Sequence, residues 1–150
     1  MKIAKMAFMG VLGASALGVL AAPAVQHYYC KYCGYKTTSV NSLTASSCQR
    51  HPNGPGKGRH ALYEGGEKTT YVCKYCGLKS TAINSLTASK CQRHPNGPGK
   101  GRHALYEGGA KTTYVCKYCG LKSTAINSLT ASKCQRHPNG PQKGRHEPAL

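Results

Sequence analysis

The sequence predicts a small, metal-stapled α+β fold: three tandem ββα-like repeats of 43 residues joined by Gly-rich linkers. Three observations predict it. First, Cys-Lys-Tyr-Cys-Gly recurs with Cys pairs at Cys30/Cys33, Cys73/Cys76 and Cys116/Cys119, and each copy is followed by Cys-Gln-Arg-His. Second, residues 69–98 are identical to residues 112–141, and residues 48–66 to residues 91–109, so one structural unit has been copied. Third, the chain has no Trp and its one Phe is Phe8, so a unit of this size cannot fold on its core alone and needs a staple.

Taken in order, the chain begins with the features of a secretory leader. Lys2 and Lys5 precede an apolar run from Met6 to Ala22, and Ala22-Pro23-Ala24 places small residues before a cleavage point between Ala24 and Val25. The alternative is an uncleaved anchor, although the run is at the short edge of a bilayer span. The expected organisation is therefore a signal peptide at 1–24 and repeats at 25–66, 67–109 and 110–150. A cleaved leader implies a secreted or periplasmic protein with no stable membrane anchor.

Each repeat divides into the same elements. Tyr71-Val72-Cys73 is β-prone, and Gly77 after Cys76 suits the left-handed turn that closes a knuckle around a metal. Ser80 or Thr81 can cap a helix expected to run to about Lys90, with Pro95 barring continuation past His94. At helical spacing Ile83, Leu86, Cys91 and His94 share one face, so ligands and apolar side chains would point into one small core. The Pro- and Gly-dense stretch that follows reads as a tight loop, and Ala61 to Glu64 as a short strand returning to the unit. Gly65-Gly66 and Gly108-Gly109 are the expected linkers, and Tyr63 and Tyr106 either pack on the unit or offer a stacking surface.

The chemistry lies in the cysteines and histidines. Every copy has the form Cys-x2-Cys-x14-Cys-x2-His, giving Cys30, Cys33, Cys48, His51; Cys73, Cys76, Cys91, His94; and Cys116, Cys119, Cys134, His137. Two close pairs of thiolate and imidazole ligands suit tetrahedral zinc, so three zinc ions are expected, one per repeat. Close pairs need the least chain ordering, which favours these histidines. The alternative fourth ligands are His60, His103 and His146, each in Gly-Arg-His.

These units resemble the C2H2-type zinc finger family. Tyr71 stands two before the first Cys, Cys73-x2-Cys76 matches, Leu86 lies ten after Cys76, and Gly66-Glu67-Lys68 is similar to that family's linkers. The unit departs from the pattern in three ways: Thr37, Ser80 and Ser123 stand at the core Phe position, the third ligand is Cys, and it arrives after 14 residues. An atypical finger and a short zinc ribbon both fit. The resemblance also implies base-reading positions, which fall on Ala82, Ser85 and Ala88 in the second unit. None of these makes a bidentate contact with a base edge, so sequence-specific DNA reading is not expected.

The formal net charge is +17, with Glu64, Glu67, Glu107 and Glu147 as the acidic residues. Such a balance attracts anionic polymers, either nucleic acid or an acidic envelope component, unless it serves as a solvated surface alone. Lys74, Lys79, Lys90, Arg93, Lys100 and Arg102, with their equivalents in the other units, are the expected contacts, and binding through them would be salt-sensitive and nearly sequence-blind. No small-molecule substrate is expected, and neither is catalysis: a fourth ligand closes each site, and Cys-x2-Cys lacks a thioredoxin-like setting. The reading is an exported, non-catalytic, zinc-binding repeat module with affinity for anionic polymers. Its alternatives are a nucleic-acid-binding zinc finger protein without strong base specificity and a disulfide-stapled secreted structural protein.

Overall fold

The computed structural model describes residues 24–150. The expected leader, Ala24 apart, lies outside the described residues. Each repeat forms a two-stranded antiparallel hairpin followed by a short helix: β1 (Tyr28–Tyr29), β2 (Lys36–Thr37) and α1 (Val40–Thr44); β3 (Tyr71–Val72), β4 (Lys79–Ser80) and α2 (Ile83–Leu86); β5 (Tyr114–Val115), β6 (Lys122–Ser123) and α3 (Ile126–Leu129). The small α+β repeat expected from the sequence is the fold observed.

The hairpin is made by the knuckle at its tip. In the first unit Tyr28 pairs with Thr37 and Tyr29 with Lys36. Between the strands the Cys30 amide donates to Tyr35 O at 2.8 Å, and the Gly34 amide donates to Cys30 O at 2.8 Å. Closing this turn puts Gly34, Gly77 and Gly120 at φ +79°, +79° and +78°, a region that a side chain disfavours.

The helices are shorter than expected. The sequence pattern fits a helix to about Lys90, but α2 ends at Leu86. Two contacts stop it. The Thr87 hydroxyl donates back to Ile83 O at 2.9 Å, and the Arg102 guanidinium takes the carbonyls of Thr87 and Ala88 that a continuing helix would have used. Cys91 therefore sits beyond the helix, where Lys90 forms a bridge to Arg102. Only α1 has a side-chain cap, with Ser39 Oγ accepting from the Ser42 amide at 3.0 Å; Ala82 and Ala125 occupy that position in the later units.

A third segment completes each unit. Residues 61–63 return along the outer edge of β1, where Lys31 donates to Ala61 O at 2.9 Å and Tyr63 to Tyr29 O at 2.8 Å. The predicted returning strand is thus present as a bridge between Leu62 and Cys30, repeated as Leu105 with Cys73 and Pro148 with Cys116. The core beneath is small: Leu43 with Cys30 and Cys48 in the first unit, and Leu129 with Cys116 and Cys134 in the third. In the second, Ile83, Leu86, Cys73, Cys91 and Leu105 join Tyr71 and the preceding unit's Tyr63.

Successive units are locked by one repeated set of contacts. Arg50 donates to Asn84 O at 2.7 Å and to Thr87 Oγ1 at 3.2 Å; Arg93 does the same to Asn127 O and Thr130 Oγ1 at 2.7 and 3.1 Å. The knuckle glycine of one unit lies against the helix of the next, so a Cβ on Gly34 would stand 2.8 Å from the Asn84 amide and one on Gly77 2.7 Å from that of Asn127. Tyr63 meets Tyr71 edge to face at 5.7 Å, and Tyr106 meets Tyr114 at 5.8 Å.

Candidate metal centre

Each unit gathers three cysteines and one histidine into a group whose ligand atoms all lie within 4.8 Å: Cys30, Cys33, Cys48 and His60; Cys73, Cys76, Cys91 and His103; Cys116, Cys119, Cys134 and His146. The knuckle supplies the first two sulfurs. The segment after the helix supplies the third, and the returning segment brings the histidine.

The separations fit one cation. Sγ atoms of Cys30 and Cys48 are 3.9 Å apart, and those of Cys73 and Cys91, and of Cys116 and Cys134, are 4.0 Å apart. The second knuckle sulfur lies 3.4 Å from histidine Nδ1 in all three units. A tetrahedral zinc ion bonded to sulfur and imidazole nitrogen sets edges of roughly 3.8 Å and roughly 3.5 Å, so this donor set and spacing suit it.

The histidine in each group is the alternative that the sequence offers. Close pairing in sequence favours His51, His94 and His137, yet they stand outside the groups, which hold His60, His103 and His146. Local bonding explains the difference. The amides of Asn53, Asn96 and Asn139 donate to Nδ1 of these histidines at 3.2, 3.1 and 3.2 Å, and the ring presses on Gly58, Gly101 or Gly144, where no Cβ could fit. Tyr32, Tyr75 and Tyr118 close the edge at 5.0 to 5.1 Å. These histidines therefore shape the loop.

The loop is also much shorter in space than in sequence. Cys48 donates to Gly58 O at 2.7 Å and Gly56 to Cys48 O at 2.9 Å, while Ser47 bridges to Arg59. His60 then follows as the next residue of a paired segment, with its amide donating to Ser46 O at 3.2 Å. The cost of ordering is carried by the loop's own backbone bonds.

Burial acts against the thiolate form in most of these cysteines, so a cation at the site would have to displace their protons. Burial pushes the Cys33 and Cys91 thiols up to about 12 and raises those of Cys48 and Cys73, since low-dielectric surroundings disfavour thiolate. Cys116 goes the other way, to about 6: burial raises it, but amide donors and His146 outweigh that contribution. Burial lowers His60 and His103, which keeps the imidazoles neutral and able to donate a lone pair. The amides of Tyr32, Tyr75 and Tyr118 each point at the first cysteine's sulfur at 3.4 Å, further stabilising a negative ligand.

Beside these groups, each unit junction forms a cleft. The first, about 550 Å³, is lined by Lys31, Arg50, Lys74, Lys90, Lys100 and Arg102 around Tyr32 and Tyr75, with Glu107 paired to Lys31 at 3.6 Å. The second, about 270 Å³, places Arg93, Lys133, Lys143 and Arg145 around the other side of Tyr75, against the single acidic side chain of Glu147. Of the expected polyanion contacts, Lys74, Lys90, Lys100 and Arg102 border the first cleft and Arg93 the second, while Lys79 lies on β4 outside both linings. Lys31 and Arg50, the first unit's counterparts of Lys74 and Arg93 at the 43-residue period, join the first cleft from the unit before. No protein-family model, curated protein or solved structure matches this chain.

Proposed function

We propose that this chain is an exported, non-catalytic, zinc-binding module whose repeats hold anionic polymers in the clefts between them. The observation that carries the reading is the recurrence of a lysine- and arginine-lined cleft at both unit junctions, spaced by the repeat itself. A regular row of cationic clefts with a tyrosine between them suits a chain of regularly spaced negative groups. Zinc is the ion these groups fit by donor chemistry, and its role is structural: four protein ligands leave no open position for substrate or water. The leader accounts for export. All nine cysteines are unpaired, which favours metal over disulfides as the staple.

The test is binding of two fluorescent probes of matched charge, an acidic polysaccharide and a mixed-sequence single-stranded oligonucleotide, to the zinc-loaded chain across a salt series. Affinity should fall steeply with salt, and Lys90→Ala with Lys100→Ala should flatten that dependence. Preference for the polysaccharide supports an envelope ligand, and preference for the oligonucleotide supports the nucleic-acid reading. Absence of binding to both at low salt would overturn the proposal.

A further inference from the structure

We propose that copies of this chain associate head to tail, with the third unit of one copy docking on the first unit of the next through the junction that already joins units within the chain. The third unit presents the glycine and arginine of the docking half unchanged. Gly120 and Arg136 are the counterparts of Gly77 and Arg93, within a segment identical between the two units. Yet the space over Gly120 is open, and among the described residues the exposed Arg136 side chain has none of the hydrogen bonds that Arg50 and Arg93 make. The two guanidinium groups inside the chain are used; the third is presented to solvent.

The first unit presents the receiving half. Arg50 and Arg93 bind the carbonyl of an Asn and the hydroxyl of a Thr on the next helix, and α1 carries both at the equivalent positions, Asn41 and Thr44. The Thr44 hydroxyl already donates to Val40 O at 3.0 Å, as Thr87 and Thr130 donate to their own helices, which leaves its lone pairs for an incoming guanidinium. Burial marks the same face. Ile83 and Ile126 are 3 % and 4 % exposed, whereas Val40 at their position is 39 % exposed.

The two faces are therefore complementary by descent from one repeat, and they lie at opposite ends of the described fold. A contact between different faces that does not close on itself propagates as a chain of copies. The copy-to-copy junction should be weaker than the internal ones. Ala149 stands where Tyr63 and Tyr106 supply an edge-to-face partner, so the tyrosine pair is lost while the guanidinium and glycine contacts are kept. Each such junction would also extend the row of clefts, with Tyr118 and Arg136 of one copy opposite His51 and Lys57 of the next.

Sedimentation velocity over a wide concentration range tests this directly, using the zinc-loaded chain and two variants with unchanged metal content. Wild type should grow in steps of one chain, and Arg136→Ala should lower association at least about tenfold by removing a charge-assisted pair of hydrogen bonds. Thr44→Lys should do the same by placing a cation opposite Arg136. The decisive sample is an equimolar mixture of the two variants: each has one intact face, so together they should form a dimer and nothing larger. Wild type that remains monomeric throughout, variants that assemble like wild type, or a mixture that stays monomeric would each overturn head-to-tail docking.

Discussion

At the scale of single residues, the two histidines of each unit have separate tasks, and mutation should tell them apart. His103→Ala removes one of the four candidate ligands from the second site, while His94→Ala removes a ring that accepts a backbone amide and packs on Gly101 and Tyr75. If the four ligands share about 10–16 kcal/mol of apparent zinc binding energy, losing one costs roughly 3 kcal/mol and weakens that site on the order of 100-fold. Native mass spectrometry during titration with a chelator should then show His103→Ala yielding its second zinc first, with His94→Ala close to wild type. Equal losses in the two variants would return the Cys-x2-His assignment. All nine cysteines were legible as ligands from their spacing alone. The histidine was not, because residue separation overstates the distance across a loop whose backbone amides bond to one another; the Pro-Asn-Gly turn after each Cys-Gln-Arg-His was the available signal.

At the scale of elements, the knuckle turn and the unit junction meet at one glycine, and the copied sequence separates their contributions. Gly77 and Gly120 have nearly the same positive φ and the same neighbours in sequence, but Gly77 lies against the Asn127 amide and Gly120 faces open space. Alanine at Gly120 should cost about 1–2 kcal/mol for left-handed backbone alone. At Gly77 the overpacking of the junction adds about 1–3 kcal/mol. Chemical denaturation of the zinc-loaded variants in dilute solution would measure the difference, and equal costs at the two positions would mean that units do not press together there. The need for glycine at this turn, the hairpin before it and the returning segment after the loop could all be read in sequence. The length of the helix could not. Its apolar spacing fits a longer run, and the Arg102 side chain that ends it comes from a segment 14 to 15 residues further along.

At the scale of the molecule, three metal groups and two junctions make a row in which each unit is stable partly through its neighbour. Nearest-neighbour coupling of this kind makes unfolding cooperative only while the junctions hold. Each described unit has a short hairpin, a helix of four or five residues and a handful of buried side chains, so a metal bound at its Cys3His group would supply much of its folding energy. Periodicity made the repeats legible, but how they stack was hidden, because the stacking contacts join Arg93 to a carbonyl and a hydroxyl 34 and 37 residues away. That arginine is therefore the point at which to cut the row. Arg93→Ala leaves every metal ligand in place while exposing Asn127 O and Thr130 Oγ1, a loss of about 1.5–3 kcal/mol of charged hydrogen bonding. With chelator added, circular dichroism should follow one concerted transition in the wild type, and a broader or two-step transition in Arg93→Ala as the third unit lets go separately from the first two. An unchanged single transition would mean that the units communicate through the tyrosine pairs and the return segments instead, because Tyr106 also reaches across this junction to Ala149 O at 2.7 Å. Tyr106→Phe, which removes that hydroxyl and keeps the ring, would then be the variant expected to divide the transition.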